Sequence, residues 1–114
     1  MQGTPPRIAR AQMSSEERHL RSQLVQLLSG AGLLWATLNP CQKTCGTPGC
    51  RCARGEKHSA LYVVVRENGK PRQLYVPRSL EPQARQWVSS YQRVRELLGE
   101  LSRLYWDKLS RREP

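Results

Sequence analysis

The sequence predicts an α+β fold made of an N-terminal helix, a cysteine-rich loop, a β-hairpin and a long C-terminal helix. Two segments repeat apolar residues every three or four positions, which is the periodicity of an amphipathic helix. Between them, two β-branched and aromatic runs flank an Asn-Gly dipeptide, which is typical of a hairpin. A chain of 114 residues has the length of one domain, and we expect a single domain over residues 14–114.

The N-terminal arm and the first helix differ in composition. Residues 1–13 contain Gly3 and two prolines without apolar periodicity, so they are predicted to form a flexible basic arm. Ser14 and Glu17 make a capping-box pattern, which predicts a helix over residues 14–30. The apolar positions of this helix are Leu20, Leu24, Leu27 and Leu28.

A short connection joins this helix to the cysteines. Gly30 and Gly32 are expected to end the helix. Residues 33–38 form an apolar run that fits either a strand or a further helical turn. We favour a short strand, which Asn39 and Pro40 would end.

All four cysteines and one of the two histidines lie in a loop predicted over residues 39–58. Thiolates and an imidazole, separated by Gly and Pro turn residues, are a ligand set that suits tetrahedral zinc, so we expect Zn²⁺ as the cofactor. Five candidate ligands compete for four positions, so either Cys41 or His58 is spare, or the two exchange. We favour a site made of Cys45, Cys50, Cys52 and His58, with Cys41 as the alternative ligand.

Disulfide bonds or free thiols are the alternatives to a metal site. A disulfide framework requires an oxidising compartment. The first thirty residues lack the uninterrupted apolar segment of a signal peptide, and no run of residues has the length of a membrane span. We therefore expect a reduced, cytoplasmic protein.

A β-hairpin is predicted over residues 60–77. The run Leu61–Val65 is β-branched and aromatic, and Gln73–Val76 is its counterpart. Between them, Asn68 and Gly69 favour a type I′ turn.

The C-terminal helix is predicted over residues 79–112, with Ser79 as its N-cap and Pro82 in its first turn. Its apolar positions alternate steps of three and four residues from Ala84 onward, as in a coiled coil. We expect the stripe to pack on the first helix and on a second protomer or a larger protein. The predicted partner-binding residues are Trp87, Tyr91, Val94, Leu98, Leu101 and Tyr105.

The charge of the chain points to a polyanionic partner. Its net charge is +10, from 19 Lys and Arg against 9 Asp and Glu. The positive charge concentrates in residues 41–80, where a basic platform for DNA or RNA is expected. Its phosphate-binding residues would be Lys43, Arg51, Arg54, Lys57, Arg66, Lys70, Arg72 and Arg78, and Tyr62 or Tyr75 could stack on bases. The alternative interpretation is a solvated surface in an arginine-rich chain.

We do not expect an enzyme. A catalytic zinc keeps an open position and needs a general base, as in deaminases with a His-x-Glu and a Cys-x-x-Cys, and neither motif is present. Glu56 is two residues before His58, but it lies in a basic loop, where an ion pair with Arg54 or Lys57 is the simpler role. There is also no phosphate-binding glycine loop.

The segment from Cys45 to Leu101 resembles a group of short bacterial and archaeal proteins without an assigned function, often encoded near mobile genetic elements. The matching residues are Cys45-Gly-Thr-Pro-Gly-Cys50-Arg-Cys52, Gly55, His58, Gly69-Lys70 and Tyr75-Val76-Pro77. The resemblance implies that Cys45, Cys50, Cys52 and His58 are the shared polar set, with Cys41 outside it. This chain departs from the pattern at Ser59-Ala60-Leu61, where the group has Gly-Pro-Tyr.

Together these features predict a non-catalytic, zinc-stabilised nucleic-acid-binding module. We expect it to be an accessory to a mobile-element, nuclease or recombinase complex, and the apolar stripe of the C-terminal helix adds a second protomer or a larger protein as its partner. The alternative is a docking subunit that binds a nucleoprotein enzyme through its C-terminal helix, with a purely structural zinc loop.

Overall fold

The computed structural model describes residue 3, residues 5–43 and residues 58–113, except for the side chains of Lys43 and His58. Helix α1 spans Ser15–Gly30, strands β1, β2 and β3 span Thr37–Lys43, His58–Glu67 and Lys70–Val76, and helix α2 spans Glu81–Ser110. This architecture confirms the predicted α+β class. The chain divides into two compact units, one made of Met1–Ala31 with Arg93–Pro114 and the other of Gly32–Gln92.

In the first unit, α1 begins at a side-chain cap. The Ser14 hydroxyl accepts a hydrogen bond from the Glu17 backbone N–H at 3.1 Å, which confirms Ser14 as the N-cap. The helix ends at Gly30, and the backbone N–H of Ala31 donates to the Leu27 carbonyl at 3.0 Å. Its apolar face packs against the C-terminal half of α2 in a core of Leu20, Leu24, Val94 and Leu97, bordered by Leu27, Leu101 and Leu104.

A buried carboxylate lies beside this core. Glu17 is only 1% exposed, and its Oε2 accepts hydrogen bonds from the Tyr105 hydroxyl at 2.6 Å and from Arg21 Nε at 2.8 Å. Burial alone would raise the pKa of Glu17, but the Tyr105 and Arg21 hydrogen bonds, with the charges of Arg21 and Lys108, outweigh it and lower this pKa. The Glu17 carboxylate therefore joins α1 to α2, while the Glu17 backbone N–H donates to the Ser14 cap.

In the second unit, a three-stranded antiparallel sheet has the strand order β1-β2-β3. Asn68 and Gly69 form the turn between β2 and β3, with positive φ angles of 52° and 77°. Two consecutive positive φ angles define the type I′ geometry that matches strand twist. The hairpin prediction is therefore confirmed.

Strand β1 lies elsewhere than the sequence predicted. The strand expected over residues 33–38 instead spans Thr37–Lys43 and runs through Asn39 and Pro40. Proline lacks a backbone donor, but an edge strand needs hydrogen-bond donors on one side alone, and β1 is at the edge of this sheet. The first five residues of the predicted loop, 39–43, are consequently strand.

One face of the sheet packs against the N-terminal half of α2. Leu61, Val63 and Val76 share a core with Ala84 and Val88. The half-buried side chains of Leu34, Ala36 and Leu38 pack against it. This core determines which side of each strand faces the helix.

The start of α2 also differs from the prediction. Arg78–Leu80 forms a 3-10 turn in which the Leu80 N–H donates to the Pro77 carbonyl at 2.8 Å, so Ser79 lies inside this turn and is not the N-cap. Helix α2 begins at Glu81, and Pro82 lies in its first turn as expected.

Alanine at Gly69 should destabilise the hairpin, whereas alanine at Gly99 should stabilise α2. Gly69 has a φ of +77°, which costs an L-residue about 1–2 kcal/mol, and Gly99 lies inside a helix with open space around its Cα. We expect Gly69→Ala to lower the free energy of unfolding by about 1 kcal/mol and Gly99→Ala to raise it by about 0.5–1 kcal/mol. Urea denaturation of both variants measures this, and a Gly69→Ala variant as stable as the wild type would contradict the turn assignment.

The stabilising effect of Glu17 should disappear in acid. Because its folded pKa is lowered, its contribution is complete above the unfolded pKa of about 4 and is lost as the pH falls through the folded pKa. We expect Glu17→Gln to cost about 2 kcal/mol at neutral pH and progressively less below about pH 4. Thermal unfolding across this range is the measurement, with Glu16→Gln, an exposed neighbour, as the control. A loss that is independent of pH would contradict the buried-carboxylate account.

Candidate nucleic-acid interface and metal loop

Cys41 is the one predicted metal ligand whose side chain the structure describes. It is half-buried in β1, and its thiol donates to the Asn39 carbonyl at a sulfur–oxygen distance of 3.8 Å. Cys45, Cys50 and Cys52 lie outside the described residues, and of His58 the backbone alone is described. Within the described chain, no three metal-ligating side chains come together. Zinc therefore stays a prediction.

The strand register defines the two ends of the predicted metal loop. Lys43 pairs with His58 in the last pair of the β1–β2 ladder, and Cys41 pairs with Ala60 two positions earlier. The two residues that flank the segment 44–57 are therefore directly opposed in the sheet. Both alternatives for the fourth ligand, Cys41 and His58, belong to this end of the sheet.

Four of the predicted phosphate-binding residues have described side chains, and all four are exposed: Arg66, Lys70, Arg72 and Arg78. Arg51, Arg54 and Lys57 lie outside the described residues, and Lys43 is described by its backbone alone. Arg72 Nη1 lies 2.7 Å from Glu67 Oε2, and this hydrogen bond raises the pKa of Arg72. An exposed ion pair of this kind is weak, but it offsets the Arg72 charge locally.

Register divides three of these cations between the two faces of the hairpin. Directly opposed residues share a face, and successive residues alternate. Arg72 pairs with Val65 and Lys70 pairs with Glu67, at positions that alternate with Arg66. Arg66 is therefore on the face opposite the sheet–helix core, whereas Lys70 and Arg72 share the other face with Glu67.

Two predicted partner-binding residues of α2 contact the segment before β1. The Trp87 indole lies so close to Gly32 that a Cβ at this position would overlap the ring, and the Trp87 carbonyl accepts a hydrogen bond from the Leu34 N–H at 3.1 Å. Tyr91 stacks on Trp35 with ring centroids 5.8 Å apart and an interplanar angle of 14°. Both aromatic side chains thus have intramolecular partners.

The remaining four predicted partner-binding residues belong to the first unit. Val94 is buried and Leu101 half-buried in the α1–α2 core, and Tyr105 donates to Glu17. Leu98, at 50% exposure, is the member of this group with the most free surface. The apolar stripe was predicted to end at Tyr105, and the sequence interpretation did not include two more exposed side chains, Trp106 at 71% and Leu109 at 75%. Trp106 and Leu109 are three residues apart, and this helical spacing was the signal that would have extended the predicted stripe.

Comparison with known proteins identifies a family. Residues 13–86, more than half of the chain, match a domain of unknown function, DUF6788. The chain belongs to the DUF6788 family. No curated protein and no solved structure matches it significantly. Among the described residues, neither helix has the length and apolarity needed to cross a membrane.

The DUF6788 match includes some predicted sites and not others. The range 13–86 contains α1, all three strands and the first residues of α2. Every predicted metal ligand and phosphate-binding residue lies inside this range. The six predicted partner-binding residues, from Trp87 to Tyr105, lie beyond it. The family match therefore covers α1, the sheet with its loop and the start of α2, but not the rest of α2.

Proposed function

We propose that the chain is a non-catalytic nucleic-acid-binding module whose binding surface is the basic β-sheet and the loop between β1 and β2. The observation that carries this proposal is the charge of the sheet region: Arg66, Lys70, Arg72 and Arg78 are exposed, and Glu67 is the one acidic residue among residues 37–43 and 58–80. Exposed arginines suit phosphate oxygens, and an excess of positive charge attracts a polyanion. All these residues lie in the part of the chain that matches DUF6788.

A zinc ion bound by the segment between β1 and β2 is part of this proposal. Cys45, Cys50, Cys52 and His58 would hold it, with Cys41 as the alternative, because thiolates and imidazole are good ligands for zinc. The pairing of Lys43 with His58 supports the proposal, since it places the two residues that flank the loop opposite each other at the end of the β1–β2 ladder. The ion would have a structural role, holding the arginines of the loop beside those of the hairpin.

For the partner we propose only a class of complex. The motif resemblance favours an accessory role in a mobile-element, nuclease or recombinase complex, as a homodimer or with a larger protein. The second candidate function is a docking subunit that binds such a complex through α2. The exposed side chains of Leu98, Trp106 and Leu109 favour it, because Trp106 and Leu109 are neighbours at i, i+3 and adjacent exposed apolar groups are typical of protein contacts.

Cys50→Ser should release zinc, whereas Cys41→Ser should retain it. Loss of one thiolate from a four-ligand site weakens zinc binding, whereas the spare cysteine contributes nothing to it. The measurement is the zinc content of purified protein by mass spectrometry, with circular dichroism to check that α2 remains helical. Zinc retained by Cys50→Ser and lost by Cys41→Ser would reverse the ligand assignment.

Replacement of Arg66 and Arg78 together by alanine should weaken nucleic-acid binding and reduce its salt dependence. Each lost phosphate contact lowers the slope of log affinity against log salt by about 0.7 for a single strand and about 0.9 for a duplex. The matched control is Arg95→Ala with Arg103→Ala, which removes the same charge from exposed positions of α2. Fluorescence anisotropy at several salt concentrations measures both.

Equal losses in the two double variants would mean that binding follows net charge alone, and the proposed surface would be wrong. Absence of binding by the wild-type protein at low salt would instead favour the docking function.

A further inference from the structure

The face of the sheet opposite α2 has a composition of its own. We define this open sheet face by the residues that alternate with the core positions: Thr37, Asn39, Cys41, Ala60, Tyr62, Val64, Arg66, Pro71, Gln73 and Tyr75. It carries two aromatic rings, two amides and one arginine, and it includes no acidic residue. A face with aromatic rings and without negative charge is unlike the mixed-charge surface of α2.

The strand pairs bring the polar and aromatic groups into one row. Tyr62 lies directly opposite Asn39 on β1 and directly opposite Tyr75 on β3. The rings of Tyr62 and Tyr75 meet edge to face, with centroids 5.8 Å apart and an interplanar angle of 68°. This contact orients the Tyr75 ring, which is 54% exposed.

Hydrogen-bonding groups flank this row. Gln73 lies two residues from Tyr75 along β3, and its partner across the ladder is Val64. Arg66 lies two residues beyond Val64 on β2. The open sheet face thus offers an oriented ring, amides that can donate and accept, and a guanidinium at one end.

We propose that the open sheet face binds single-stranded nucleic acid, with a base stacked on Tyr75, base edges bonded to Asn39 or Gln73, and a phosphate on Arg66. This inference rests on the proposed nucleic-acid function and names its substrate class. Aromatic rings on a sheet can stack only on bases whose own faces are free, which a duplex does not offer. Arg66, on a face without an acidic residue, gives the positive charge that attracts a phosphate backbone.

Tyr75→Ala should weaken single-strand binding without changing its salt dependence. Loss of one base–aromatic stack lowers affinity by about 5- to 100-fold, and Tyr75 contacts no phosphate. The probe is a fluorescein-labelled oligothymidylate of about 12 nucleotides, compared with a duplex of the same length by anisotropy on the full chain. We expect the wild-type protein to prefer the single strand.

Two controls separate stacking from a general effect on the strand. Leu74→Ala removes a large side chain that is 68% exposed on the other face of β3, and it should leave affinity unchanged. Tyr75→Phe keeps the ring and should bind as the wild type does. If Tyr75→Ala lowers the thermal midpoint, Tyr75→Leu keeps apolar bulk at this position and should still lose affinity.

The outcomes distinguish this inference from the proposed function. If the Arg66 and Arg78 double variant loses affinity while Tyr75→Ala and Tyr75→Leu do not, the basic surface stands and the stacking site is wrong. Equal affinity for duplex and single strand would also overturn the single-strand assignment. A dimer that Tyr75→Ala dissociates in analytical ultracentrifugation would make the face a protein interface. If no form of nucleic acid binds the wild type, both proposals fail.

Discussion

The core between the sheet and α2 is the constraint on which the geometry of the sheet depends. Leu61 and Val88 are each only 1% exposed within it. Because side chains alternate along a strand, a register shift of β2 by one residue would place Tyr62 in the core instead of Leu61. The same shift would turn Arg66 toward the helix. The packing on one side of the sheet therefore determines the chemistry of the other side, and the open sheet face cannot change independently of the core.

The sequence predicted elements whose determinants are local. The Asn68-Gly69 turn and the Ser14 cap act over three or four residues, and both are present in the structure. Strand β1 was misplaced because Asn39 and Pro40 are poor strand residues by themselves, and pairing with β2 outweighs this local preference. The contact of Glu17 with Tyr105, 88 residues away, is likewise not encoded by any short motif.

The heptad interpretation of α2 treated its apolar positions as one continuous stripe, packed on the first helix and on a second protomer or a larger protein. The structure instead assigns its two halves to different units, where Ala84 and Val88 pack on the sheet and Val94 and Leu97 pack on α1. For the candidate site, the pairing of Tyr62 with Tyr75 follows from the predicted turn, but the position of Asn39 beside them depends on β1. The zinc ligands Cys45, Cys50 and Cys52 lie outside the described residues, so their assignment rests on the sequence.

Because the hairpin has a single acidic residue, Glu67, its two faces differ in charge. Glu67 bonds to Arg72 and pairs in register with Lys70, so it compensates positive charge on the face that also carries the sheet–helix core. Arg66 is on the opposite face, which has no acidic residue. Charges act over about 8 Å in physiological salt, whereas stacking requires contact. On the proposed function, the uncompensated charge would attract a nucleic acid toward the open sheet face before Tyr75 could bind a base.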